Sequence, residues 1–120
     1  MSDAKTYQGS CHCGKVKFET QADLSGEMLS CNCSICKRTG TLLAFVPKSA
    51  FKLVSGEDGL TDYQFKSKTI HHLFCSTCGV RSFGRGKMPD GTEMAAINVR
   101  CLDGVDPDKL RVKHYDGASK

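Results

Sequence analysis

Cys75-Ser76-Thr77-Cys78-Gly79 stands between two short apolar stretches, Thr69 to Phe74 before it and Val80 to Phe83 after it. A Cys-x-x-Cys pair in a tight turn can set both sulfurs on one tetrahedral zinc at about 2.3 Å, because the turn's amides point at the metal and the chain must then turn away. Glycine after the second cysteine tolerates the positive φ that such a turn needs. A similar pattern recurs at Cys11-His12-Cys13-Gly14. In a straight strand residues i and i+2 share a face, so a Cys-x-Cys pair also fits two core cysteines. Between the two pairs lies a third cluster, Cys31-Asn32-Cys33-Ser34-Ile35-Cys36, and Cys101 stands alone.

The ligand count organises these positions. A closed structural zinc takes four protein ligands, and a catalytic one keeps three plus an open position. Cys11, Cys13, Cys75 and Cys78 make four; Cys31, Cys33 and Cys36 make three. A competing partition adds Cys101 to the triplet and gives two closed sites, and spacing leaves both open. Cys101 also reads as a buried strand cysteine, alternating on one face with Ile97 and Val99, or as a reactive thiol.

The 120 residues, 39% hydrophobic and 25% charged, amount to one domain, residues 1–120. With no Trp and 8% aromatics the core is modest, so metal is expected to help hold it. The opening residues lack the apolar run of a signal peptide, and no stretch of about 18 apolar residues could span a bilayer. The expectation is a soluble, cytoplasmic protein without a membrane partner. In that reducing compartment clustered cysteines serve as metal ligands or catalytic groups rather than disulfides. The formal charge is +4; two Zn(II) per chain and seven thiolates bring it close to neutral. Lys and Arg are scattered apart from Lys37-Arg38 and the Arg81, Arg85, Lys87 group, which read as a solvated face or as an anion-binding rim. Nucleic acid is not an expected partner.

Period-two alternation dominates the chain. It marks strands at Lys15 to Thr20, Phe51 to Leu53, Leu60 to Phe65, Thr69 to Phe74, Val80 to Phe83 and Glu93 to Leu102, with a compact apolar run at Leu42 to Val46. Turn signals stand at Gly56-Glu57-Asp58-Gly59 and Pro89-Asp90-Gly91. Helix is expected only over Cys33 to Thr39, ended by Gly40, and after an Asp106 N-cap with Pro107 in the first position. The fold class is mainly β, several short sheets pinned by zinc.

Taken together, GSCHCGKVKFE (residues 9–19), SCNCSICKRTG (30–40), FCSTCGVRSF (74–83), INVRCLDGVD (97–106) and HYDG (114–117) resemble the glutathione-dependent formaldehyde-activating family, which also includes centromere protein V. The resemblance runs from Gly9 to Gly117. It implies a β-tent of several coiled β-sheets. It also implies the four-plus-three partition: Cys11, Cys13, Cys75 and Cys78 on a structural zinc, and Cys31, Cys33 and Cys36 on a catalytic zinc. The implied activity is that of a zinc-dependent carbon–sulfur lyase resembling S-(hydroxymethyl)glutathione synthase, with glutathione or a similar small thiol and formaldehyde or a small aldehyde as partners. Lys37, Arg38, Arg81 and Arg100 are candidates to hold a glutathione carboxylate, beside their reading as solvated or structural charges. Asn32 stands where many relatives resemble Cys-His-Cys, so no imidazole is available there as a proton carrier; His12 lies in the first pair instead. His71 and His72 adjoin on a strand candidate and so face opposite ways. The alternatives carried are a zinc-stabilised binding module without catalysis and, more remotely, a thiol reductase using Cys101.

Overall fold

A computed structural model describes residues 4–64, 70–88 and 90–119. Three ends of the expected segments, Phe65, Thr69 and Pro89, lie outside the described residues. The chain runs β1 (Lys5–Ser10), β2 (Lys17–Ala22), β3 (Glu27–Cys31), α1 (Ser34–Thr39), β4 (Leu43–Pro47), β5 (Phe51–Ser55), β6 (Leu60–Tyr63), β7 (Ile70–Cys75), β8 (Phe83–Lys87), β9 (Glu93–Asn98) and β10 (Arg111–Tyr115). The architecture is mainly β, as the alternation predicts. The strands form a three-stranded sheet, β1-β2-β5, and a seven-stranded sheet, β10-β3-β4-β9-β8-β7-β6. All pairings are antiparallel except β3 with β10.

Alternation explains how the sheets meet. From Val16 through Ala22 every second residue, Val16, Phe18, Thr20 and Ala22, is buried, which turns one face of β2 inward. The larger sheet answers with Leu73, Phe83, Ala95 and Ile97. Phe18 and Phe51 of the small sheet close on Phe83 of the large one, with ring centroids 5.9 and 4.6 Å away. Tilted aromatic contacts at such separations add to the area they bury.

Two of the expected strands change. The strand expected from Val80 begins only at Phe83, because the Val80 carbonyl accepts the Cys75 amide at 3.0 Å and closes the metal loop instead of joining a ladder. The long strand to Leu102 stops at Asn98, whose side chain accepts the Arg100 amide at 3.2 Å and folds Val99–Cys101 into a 3₁₀ turn. The Gly56 to Gly59 signal is a turn as expected, a 3₁₀ turn; β5 pairs with β2 and β6 with β7, so the chain crosses there between sheets. Helix α1 ends at Gly40, left-handed at φ 69°, as expected. Asp106 caps a single 3₁₀ turn, Pro107–Lys109, accepting the Asp108 amide at 3.1 Å.

Candidate metal centres

Two loops of the same construction carry the first cluster. In each, the first cysteine's amide donates to the carbonyl of the valine five residues on, Cys11 to Val16 and Cys75 to Val80, both at 3.0 Å. Gly14 and Gly79 follow at φ 82° and 80°, a conformation that a Cβ would strain. Backbone amides of Val16 and Thr77 point at the Cys11 and Cys75 sulfurs at 3.4 Å. The loops meet so that Cys13 Sγ lies 3.6 Å from both Cys11 Sγ and Cys75 Sγ. Four sulfurs, from Cys11, Cys13, Cys75 and Cys78, lie within 4.8 Å of one another. Sulfurs at about 2.3 Å from a tetrahedral ion are separated by about 3.8 Å, so this set fits a metal.

Electrostatics points the same way. Amides of the Cys13 and Val80 segments pull the Cys78 thiol down to about 6. The Lys15 amide works to lower Cys13, but burial and the sulfurs of Cys11, Cys75 and Cys78 push it up to about 11. Four thiols this close cannot all ionise alone, and a bound cation would supply the missing charge.

The second cluster is Cys31, Cys33 and Cys36, whose sulfurs also lie within 4.8 Å of one another. Cys31 closes β3, Cys33 precedes α1 and Cys36 lies one turn into it. The Cys33 amide donates to Cys31 Sγ at 3.4 Å, and the Lys37 amide to the Cys33 carbonyl at 2.9 Å. Burial, and then Cys33, push the Cys36 thiol up to about 11.

Cys101 joins neither group among the described residues. It is half-buried in its 3₁₀ turn, not on a strand, and burial followed by the nearby Cys11 and Cys78 pushes its thiol up to about 11. The competing partition therefore finds no support in the geometry. His12 is exposed and outside the clusters. His71 and His72 do face opposite ways: His71 Nδ1 meets Asp62 Oδ2 at 2.6 Å at the surface, and His72 is buried. Both amide groups of Asn32 hold the chain's end, Nδ2 donating to Asp116 at 3.1 Å and Oδ1 accepting from Ala118 at 2.9 Å.

Cys31 and Cys36 border a cavity of about 480 Å³ that Lys37, Arg100, Leu42 and His114 also line. His114 enters the sequence reading only within the HYDG stretch and with no place at the site, since the parallel pairing that sets it opposite Ser30 spans 84 residues and has no local signal. Of the other cationic candidates, Arg38 is spent on the Ser34 carbonyl at 2.9 Å and Arg81 is buried. A larger cavity, about 790 Å³, opens between the sheets near Phe51 and Arg85, and no cysteine lines it. Volume favours that cavity, but the cysteines of the triplet line the smaller one.

The family model of the glutathione-dependent formaldehyde-activating enzyme matches residues 6–115. The chain belongs to that family. The match holds both sulfur clusters and spans nearly the stretch that the sequence motifs mark. A solved structure of a Rhodobacter sphaeroides protein is similar, at 34% identity and a TM-score of 0.80 over 90% of this chain and 99% of that one. Within this member of the family, no helix among the described residues is long and apolar enough to cross a membrane.

Proposed function

We propose that the protein is a zinc-dependent carbon–sulfur lyase of small thiol adducts, condensing a thiol such as glutathione with formaldehyde. The observation that carries this reading is the triplet, three mutually close sulfurs with no fourth ligating side chain grouped with them among the described residues. Residues 1–120 act as one domain with two Zn(II), a structural ion on Cys11, Cys13, Cys75 and Cys78 and a reaction-site ion on Cys31, Cys33 and Cys36. Thiolate-only sets of this geometry suit zinc, and free thiols persist in a reducing cytoplasm.

Cys31, Cys33 and Cys36 would hold a zinc, which would lower the pKa of a thiol bound there so that its thiolate would form near neutral pH. The chain's own residues do the placing. Lys37, Arg100 and His114 line the adjoining cavity and no carboxylate does, which favours a thiol that carries carboxylates of its own. The cavity's volume of about 480 Å³ falls within the usual range for small-molecule sites. In the condensation the thiol sulfur attacks the carbonyl carbon, the carbon–sulfur bond forms, and the carbonyl π pair moves to oxygen, which takes up a proton. Holding sulfur and carbonyl together lowers the entropic part of that barrier.

Exchange spectroscopy on glutathione mixed with ¹³C-formaldehyde tests this. Interconversion of free and adduct forms should quicken with the protein and return to the uncatalysed rate with Cys33→Ser. Full acceleration by Cys33→Ser, or none by the wild type, overturns the lyase reading, and the second result favours the binding module.

A further inference from the structure

The condensation moves a proton as well as making a bond. The proton leaves the thiol sulfur and ends on the carbonyl oxygen, and a side chain that both takes and gives a proton can carry it across. The residues lining the cavity beside Cys31 and Cys36 narrow the choice. Lysine and arginine side chains keep their protons near neutral pH, which leaves Lys37 and Arg100 to hold anions. The Asn32 amide is spent at both ends, on Asp116 and Ala118. Ser30 and Thr41 carry hydroxyls, which pass on a hydrogen bond but hold no extra proton. No aspartate or glutamate is among the lining residues described. His114 remains, and imidazole is the side chain whose ordinary charge change falls between about pH 5 and 8.

The backbone brings that ring to the triplet. Parallel pairing sets His114 beside Ser30 and Tyr115 beside Cys31, so β10 runs level with the first of the three cysteines. Val112 and His114 line the cavity whereas Lys113 and Tyr115 do not, the period of a strand that turns one face to it. The end of β10 is also tied to the triplet's own backbone, since the Asn32 amide N–H, between Cys31 and Cys33, donates to the Tyr115 carbonyl at 3.1 Å. His114 is exposed, and no hydrogen bond or ion pair engages its ring among the described residues. The other three of the four histidines are placed elsewhere: His12 is in the loop of the four-cysteine cluster, His71 is tied to Asp62 at the larger cavity, and His72 is buried.

We propose that His114 is the proton carrier of the condensation. Its imidazole takes the proton that the thiol sulfur gives up, the sulfur's electron pair forms the carbon–sulfur bond, the carbonyl π pair moves to oxygen, and the imidazolium returns that same proton to the oxygen. In the reverse direction the hydroxyl proton passes through the ring back to sulfur, so the step balances without a further reactant. This rests on the lyase reading of the triplet and adds the group that moves its proton.

Two readouts on the full chain with its metals bound separate the two ideas. One is the exchange rate of glutathione with ¹³C-formaldehyde; the other is glutathione binding, followed by the visible spectrum of the cobalt(II)-loaded chain. His114→Gln and His114→Ala should melt like the wild type, because the ring is exposed, and should leave both the cobalt spectrum and the glutathione affinity unchanged. The catalysed exchange should fall by about 100-fold or more, the usual worth of a positioned acid–base group. Imidazole in the buffer should restore part of that rate to His114→Ala, beyond its effect on the mixture without protein, which a merely structural side chain would not allow. Wild-type rates in both variants overturn the role of His114 and leave the lyase reading standing. A slowed, folded His114→Ala that imidazole does not rescue, or a fall in rate matched by lost glutathione binding, overturns it as well. A cobalt spectrum altered before glutathione is added makes His114 a metal ligand and overturns the proton carrier. No acceleration by the wild type overturns both readings. If His114→Ala does not fold, His114→Gln decides: slowed exchange at unchanged affinity upholds the proposal, and any other result overturns it.

Discussion

Replacing Cys75 and replacing Cys33 should have opposite consequences for stability. Cys75 joins a cluster that ties residue 13 to residue 75, 62 positions apart, and fastens the end of β7 to the loop between β1 and β2. The triplet spans only residues 31 to 36, within one short stretch of backbone. On loop-closure entropy alone, scaling as 1.5RT times the logarithm of loop length, the long tie is worth about 2 kcal/mol more than the short one. The larger share comes from the metal, since a structural zinc supplies about 10–16 kcal/mol of apparent folding free energy. A whole domain is net stable by only about 5–15 kcal/mol. Cys75→Ser should therefore leave no cooperative melt. Cys33→Ser should melt cooperatively near wild type, having lost only a local clasp between β3 and α1. Circular dichroism melts, with zinc counted by a metallochromic dye after thiol blocking, check both. A cooperative Cys75→Ser melt within a few degrees of wild type, or an unfolded Cys33→Ser, would refute the division into a structural and a reaction-site cluster.

Other outcomes follow from the packing and the charges. Phe83→Ala removes the ring between Phe18 and Phe51 and should cost about 3–5 kcal/mol, lowering the melting temperature by roughly 10 °C or more; a shift of only 1–2 °C would show that the two sheets do not depend on that contact. His72 has its folded pKa below the ordinary 6.5, so the unfolded chain binds more protons between the two values. Its contribution is complete above about 6.5 and is lost as pH falls through that value toward the lowered one. Melts from pH 7.5 to 5.5 should fall more steeply for wild type than for His72→Gln, and parallel curves would count against a buried neutral imidazole. Asn32→Ala removes two hydrogen bonds, each worth about 0.5–1.5 kcal/mol, so hydrogen exchange should rise over residues 111–119 while the global melt barely moves; unchanged exchange there would mean that β10 is held by its ladder alone.

The sequence revealed what local chemistry repeats, and concealed what distant pairing decides. The glycines after Cys13 and Cys78 and the alternation of Val16, Phe18 and Thr20 are short-range signals, and the structure follows them. The β3–β10 pair has no such signal. Arg111–Tyr115 is exposed throughout, so burial gives it no period to read, and its partner lies 84 residues away. The position of His114 at the cavity was not legible for that reason. Cys101 misled through apparent periodicity: Ile97, Val99 and Cys101 alternate, yet the Asn98 side chain bonds the Arg100 amide and bends the strand before Cys101 is reached. Asn32 shows the reverse case. From the motif alone it looks like a lost proton carrier, whereas both its amide groups hold the chain's end against the triplet.

The two clusters also differ in what surrounds them, which bears on the proposal that one of them is a reaction site. The four-cysteine set draws on both loops, and each loop's hydrogen bonds close on its own valine carbonyl, so sulfur, amide and fold are fixed together. The triplet sits at the end of β3 and the start of α1, beside a cavity that Lys37 and Arg100 line. A site complete in itself needs no cavity beside it, and an open cavity costs a folded chain packing unless something enters from outside. That cost falls beside three sulfurs with which no fourth ligating side chain is grouped among the described residues, the arrangement expected if, on the proposed reading, an exogenous anionic thiol completes the set.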